Sequence, residues 1–242
     1  MFSVVRGAWC VVIVGLLLLL ASCGSDEIVW SADHETGDLT QWKEGQGDAI
    51  FNNGTGTVTI TESNVHSGNY GMLLRIDDAR DEAQGARIFR YAENLEEGYY
   101  SAWFFFPEVY EPDEWWNIFQ FKSKVGEESL PTWIVNVGVE DDGEMYFYLF
   151  DHIEDKSYAQ VEARPIPTFE WVHLEMFVRR SDEGDGRITL WQNGVTLFDV
   201  DEVATSLDEN IQWSVNNYTD NITPNDVLIY VDDAVIARKP QH

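Results

Sequence analysis

Beyond residue 26 the chain never sustains a helical period. Apolar residues recur instead in short alternating or aromatic-rich runs, separated by clusters of Gly, Asn and Asp. Strands are expected near 27–31, 48–52, 55–61, 70–76, 86–91, 98–106, 115–122, 133–139, 144–150, 169–179, 186–192, 195–199, 211–217 and 227–236. So many strands without helices exclude a parallel α/β sheet, whose crossovers need helices, and leave a sandwich or barrel. Two hairpins are signalled locally: Asp141-Asp142-Gly143 joins Trp133–Val139 to Glu144–Phe150, and Asn193-Gly194 joins Ile188–Trp191 to Val195–Phe198. Along Trp171–Arg179, Val172, Leu174, Met176 and Val178 alternate inward while His173, Glu175 and Arg179 face out, as in one of two packed sheets. The expected fold is all-β, a two-sheet antiparallel jelly-roll sandwich.

The first residues differ in character. Arg6 precedes an apolar run, Val11–Leu20, too short to span a bilayer and ending in Leu20-Ala21-Ser22-Cys23. This reads as a lipoprotein signal peptide, 1–22, with cleavage before Cys23, a lipid on its thiol, and a short tether through Asp26. Gly24 after the cysteine points to the outer membrane in a bacterium with two membranes. Residues 27–242 then form a single domain, expected to be monomeric and to meet the membrane through its lipid alone. The other cysteine, Cys10, lies in the signal. The mature domain thus has no disulfide, thiolate metal site or Cys nucleophile, and a large core must stabilise it. A formal charge of −28, from 43 acidic and 15 basic residues, excludes nucleic acid as a partner, because phosphate binding needs a basic footprint.

Function concentrates in Trp115–Lys124. Strict alternation puts Trp116, Ile118, Gln120 and Lys122 on one face, with Asn117, Phe119 and Phe121 on the other. The first face suits the floor of a polar, aromatic-walled sugar groove. Tyr146 and Tyr148 share a face of another strand; Trp103, Trp133 and Trp191 are core residues or sugar platforms. His34 and His66 fall in turns and no His pair has metal-ligand spacing; His152, in a loop, is a candidate base. No strand carries the Glu-x-Asp-x-(x)-Glu pattern of jelly-roll glucanases, and no Gly-x-Ser-x-Gly occurs.

Several stretches together resemble the polysaccharide lyases with a concanavalin-A-like jelly roll, the group of heparin lyase I-like and glucuronan or alginate lyase-like enzymes. They are Glu35–Trp42, His66–Gly71, Tyr99–Pro107, Trp115–Lys124, Glu170–His173, Gly184–Gly194 and Tyr230–Val235, in that order. The resemblance implies β-elimination on a uronate-containing polysaccharide, with no cofactor for the chemistry. One group neutralises the uronate carboxylate, a base takes the C5 proton, and an acid protonates the leaving oxygen. Gln120 falls at the position of the family's carboxylate-binding Gln. Lys122 stands where the family's His is expected, and serves as base only if burial or nearby cations lower its pKa. Asn216 aligns with the family's late Tyr, with Tyr218 two residues on along the same strand face as the acid or base. Arg87 and Arg90 resemble an Arg-bearing strand; alternation sends them to opposite faces unless a bulge intervenes, so at most one of them enters the groove. Related folds hold a structural calcium, for which Glu35, Asp38, Asp232 and Asp233 are the candidates. The alternative on the same scaffold is a non-catalytic glycan-binding lipoprotein using Trp116, Gln120 and Asn216.

Overall fold

The alternating runs form strands, and their apolar sides meet. In this computed structural model, residues 27–80, 82–92, 95–160, 162–208 and 210–242 are described; the signal peptide and Cys23 lie outside the described residues. One sheet, the back sheet, runs in spatial order β14 (Val195–Val203), β13 (Gly186–Gln192), β12 (Trp171–Arg179), β6 (Glu97–Phe105), β17 (Val227–Ala237), β4 (Gly71–Ile76) and β3 (Gly56–Thr61), with β1 (Ile28–Ala32) also paired to β17. The other, the groove sheet, runs β11 (Lys156–Tyr158), β10 (Met145–Asp151), β9 (Glu128–Val139), β8 (Trp116–Val125), β15 (Ile211–Thr219), β5 (Gln84–Tyr91) and β2 (Ile50–Asn53). All these pairs are antiparallel. The two-residue strands β7 (Glu111–Pro112) and β16 (Ile222–Thr223) pair with each other, and one helical turn, α1 (Thr40–Lys43), lies between β1 and β2. The all-β, two-sheet jelly-roll expectation holds.

Both signalled hairpins form. Asn193 and Gly194 both take positive φ, as a type I′ turn requires, and Gly143 has φ +89°. The sequence reading missed how far β8 and β9 extend: they meet in a tight hairpin, Val125 opposite Glu128, with Gly126 at φ +63°. Between the sheets, the indole of Trp213 sits at the centre of an aromatic cluster, with ring centroids 5.5 Å from Phe119, 5.8 Å from Trp42 and Tyr100, and 6.2 Å from Trp30. Fully burying a ring such as Phe119 contributes about 3 kcal/mol. The disulfide-free domain rests on this core.

The outer face of the back sheet departs from expectation. His173 and Glu175 lie on that face, yet both are buried. The backbone N–H of Gln241 donates to Glu175 Oε2, and His242 Nδ1 lies 3.0 Å from Glu175 Oε1. Burial, then the neighbouring His242 and His66, lower the His173 imidazole to about 4, and burial raises the Glu175 carboxyl.

One polar link crosses the core. Asn217, fully buried on β15, donates from Nδ2 to the carbonyls of Leu74 (3.1 Å) and Val227 (2.9 Å) in the back sheet. Its Oδ1 accepts the Trp116 indole N–H at 3.0 Å. Leucine there leaves buried polar groups unpaired. Asn217→Leu is expected to lower unfolding stability by about 3 kcal/mol, read from the urea midpoint at unchanged m-value.

Candidate functional site

The groove is built by β8, β9 and β10, with Tyr218 of β15 at its side, and its geometry turns on an irregularity of β8 against both neighbours, β15 and β9. From Asn117 to Phe119, β8 is opposed by Tyr218 to Val215, three steps against two, and the β9 register shifts at the same place. A bulge around Ile118 breaks the period-2 alternation. Trp116, Ile118 and Phe119 therefore all enter the core, while Asn117, Gln120 and Lys122 line the cavity. The expected placement of Trp116 in the groove is thereby corrected: it is fully buried, edge-on to Phe106 and Tyr110.

The cavity above this floor has a volume of about 570 Å³. Asn136 joins Asn117 and Gln120 to line it with three amides, and Lys122, His152, Tyr148 and Tyr218 complete its polar wall. Sequence reasoning missed Asn117, hidden by the bulge, and Asn136, which the alternation of Ile134 and Asn136 against Trp133 and Val135 could have revealed. Asn216 lies behind the wall. It is fully buried and donates from Nδ2 to Asn117 Oδ1 at 2.8 Å. That bond spends the Asn117 oxygen and leaves its amide N–H groups for the cavity. Asn216 thus orients a contact residue, contrary to the expectation that it touches substrate.

Lys122 is half-buried and, among the described residues, forms no salt bridge. Arg87, on β5, lies close by. Its Nε donates to Ser214 Oγ at 3.0 Å, its Nη2 donates to Gln212 Oε1, and its guanidinium lies 5.3 Å from the Phe89 ring centre. Gln212 is the β15 partner of Lys122. Burial brings the Arg87 guanidinium down to about 10. Burial, and then the charge of Arg87, bring Lys122 down to about 8. Loss of solvent penalises the ammonium, and a second cation penalises it again.

Tyr218 reaches the same cavity without any bend of the strand end, because Gly85 on the paired strand leaves room for it. A Cβ at Gly85 would come within 2.3 Å of the Tyr218 ring. The ring packs edge-on against Trp115 at 5.0 Å. Arg90 takes no part, being on the opposite face of β5. It donates to the carbonyls of Trp42 and Glu44 and lies over the Trp30 ring. Tyr146 and Tyr148 point to the groove side, their ring centres 6.4 Å apart.

The carboxylates considered for calcium are engaged separately. Glu35 accepts from the Asn69 and Tyr70 backbones, and Asp38 from Thr36 and Thr40. Asp232 faces His34 Nδ1 at 3.0 Å and the His66 and Ser67 amides; Asp233 faces His66 Nδ1 at 2.7 Å. Trp42 donates its indole N–H to His34 Nε2, so the His34 proton sits on Nδ1 and points at Asp232. Among the described residues, no three His, Cys, Asp or Glu side chains converge as a metal site requires.

The groove is thus paved with amides, with a lysine of lowered pKa and a tyrosine beside it. Comparison with solved structures agrees on the fold. The chain is similar to the endo-β-1,4-glucuronan lyase of the fungus Trichoderma reesei (14% identity, 88% of this chain and 96% of that chain, TM-score 0.64). It is similar also to a marine alginate lyase from Aplysia kurodai (12% identity, 86% and 98%, TM-score 0.56). A third is an alginate lyase with a lysine and a tyrosine mutated to alanine, in complex with alginate tetrasaccharide (13% identity, 71% and 82%, TM-score 0.51). A search of curated proteins finds no match. The family model described as polysaccharide lyase matches residues 34–234. The chain belongs to the polysaccharide lyase family.

Proposed function

We propose that this protein cleaves a uronate-containing polysaccharide by β-elimination, with Lys122 as the base and Tyr218 as the acid. The observation that carries this reading is the state of Lys122. Its amine is half-buried, in no salt bridge among the described residues, and lowered to about 8, in the cavity that also holds Gln120 and Tyr218. The amides of Asn117, Gln120 and Asn136 donate to the uronate carboxylate and draw charge from C5. Neutral Lys122 takes the C5 proton, and the electron pair forms the C4–C5 double bond as the C4–O bond breaks. Tyr218 delivers its proton to the departing oxygen. Arg87 does not line the cavity; its charge adds to burial in lowering the Lys122 ammonium to about 8, so that the neutral amine becomes accessible as pH rises towards that value. The lysine and tyrosine removed in the alginate lyase complex are the same two residue types, which supports the pairing.

Ultraviolet absorbance of the unsaturated product over a panel of uronate polymers tests the reaction. Lys122→Arg stays cationic and Tyr218→Phe lacks the proton, so each is expected to lose on the order of 10²–10⁴ in kcat; Gln120→Ala should lower turnover sharply. Wild-type protein that binds these glycans saturably but releases no absorbing product would instead be a carbohydrate-binding lipoprotein.

Because the base is the neutral amine, kcat/KM is expected to rise with pH and level off above about 8, following Lys122. Arg87→Met removes the neighbouring cation, so the rise should move to higher pH. An unmoved pH profile would refute the coupling.

Gly85→Ala pushes the Tyr218 ring out of place without touching Lys122. A loss of about 10² in kcat is expected, with the position of the acid limb retained.

We further propose that Cys23 carries a lipid that holds the domain at a bacterial outer membrane or cell surface, following the Leu20-Ala21-Ser22-Cys23 sequence. Cys23→Ser should shift the protein from the membrane fraction to the soluble one; a membrane-bound variant would overturn this.

A further inference from the structure

The groove continues past the reacting cavity. A second cavity, of about 730 Å³, shares Glu114, Tyr148 and Ser157 with the first, so the two are contiguous. Their electrostatics differ. Lys122 and His152 line the first, with Arg87 close by and Glu114 as its one lining carboxylate, whereas Glu111, Glu140 and Asp141 join Glu114 in the second, which no Lys, Arg or His lines. None of these four carboxylates forms a salt bridge among the described residues. Tyr146 and Tyr148 supply the aromatic surface there. Gly138 lies directly beneath the first ring, where a Cβ would come within 2.7 Å. Both phenols feel the acids: burial and then Glu140 raise Tyr146, while burial, Tyr146 and Asp220 raise Tyr148 to about 12.

A uronate placed over these tyrosines would bring its carboxylate among four like charges, within the roughly 8 Å over which salt fails to screen them. A sugar without a carboxylate meets no such repulsion. Its hydroxyls donate to the carboxylates and its ring stacks on the phenols. We propose that this second cavity is a subsite for an uncharged sugar unit. The substrate is then a heteropolysaccharide in which the uronate held at Gln120 and Lys122 is flanked by a neutral residue, and a homopolymer of uronate is a poor one. The proposal rests on the lyase reading of the neighbouring cavity for its identification of the acidic subsite.

The test uses the mature protein and two tetrasaccharides of equal length, one all glucuronate and one alternating glucuronate with a neutral hexose. Binding is measured by calorimetry and cleavage by ultraviolet absorbance, at low salt and at 0.5 M sodium chloride. The alternating saccharide is expected to bind about tenfold more tightly at low salt, with the gap narrowing at high salt. The double variant Glu140→Gln with Asp141→Asn is expected to tighten binding of the all-glucuronate saccharide about fivefold. Equal affinities, or a preference that neither salt nor the variant moves, would overturn the subsite. Preferential binding without absorbance sinks the lyase reading and keeps the subsite. Absorbance without preference does the reverse, and no binding of either saccharide refutes both.

Discussion

The site depends on how β8 and β15 are joined at the bulge around Ile118. Without it, the alternation that begins at Trp116 would carry an indole and an isoleucine into the groove and send Asn117 inward. With one residue too many on β15 against β8, and one too many on β8 against β9, Trp116, Ile118 and Phe119 all serve the core, while Asn117, Gln120 and Lys122 share the cavity. A bulge gives up ladder hydrogen bonds, and the adjacent Asn216 and Asn217 replace them on opposite sides of the sheet. Asn216 fixes Asn117 from behind, and Asn217 ties Trp116 to two back-sheet carbonyls. One local irregularity thus couples the packing of the two sheets to the orientation of an amide in the groove.

Placing two cations side by side under a groove costs desolvation and mutual repulsion, and neither Arg87 nor Lys122 has a carboxylate to offset it among the described residues. Arg87 is held by neutral acceptors, Ser214 and Gln212, and by the Phe89 ring. Hydrogen bonds to neutral oxygens satisfy the guanidinium's donors without cancelling its charge, so its field still reaches Lys122. A carboxylate in Gln212's place would stabilise Arg87 more, yet it would also return Lys122 to an ordinary ammonium. The arrangement forgoes stability at this point, and the aromatic core around Trp213 supplies it elsewhere.

Much of the fold was legible in the sequence. Period-2 alternation and turn residues place the long strands because burial on one face and solvent or groove on the other enforce that period. What escaped was set by tertiary contacts. The bulge carries no Gly or Pro at Ile118 to announce it, so Trp116 was assigned to the wrong face. The tightness of the β8–β9 hairpin depends on Gly126 alone, since Glu128–Leu130 show no apolar alternation. His173 and Glu175 do lie on the outward face, as their spacing requires, but their burial comes from Gln241 and His242, far along the chain. The separation of Arg87 from Arg90 followed from their odd spacing; which of the two faces the groove did not. The carboxylates considered for calcium are each engaged by their own donors, Glu35 and Asp38 by backbone and threonine groups, Asp232 and Asp233 by His34, His66 and nearby amides, contacts that sequence spacing does not reveal.

A lysine at position 122, where the resemblance leads one to expect a histidine, places a particular demand on its surroundings. An imidazole titrates near neutrality without help, whereas an ammonium needs its environment to lower it by two units or more before it can accept a proton. Here burial supplies the larger part of that lowering, and a second cation that stays charged adds to it without closing off access to the amine. Arginine fits that role because it remains protonated even after burial has brought it down to about 10. On the proposed function, the same pair would attract a uronate at short range, although the whole protein carries −28 and would repel a polyanion at long range. Salt screens such distant repulsion more than a contact between a carboxylate and the groove. Capture of an acidic chain by so acidic a protein would therefore be a local event, decided within a few ångströms of Lys122.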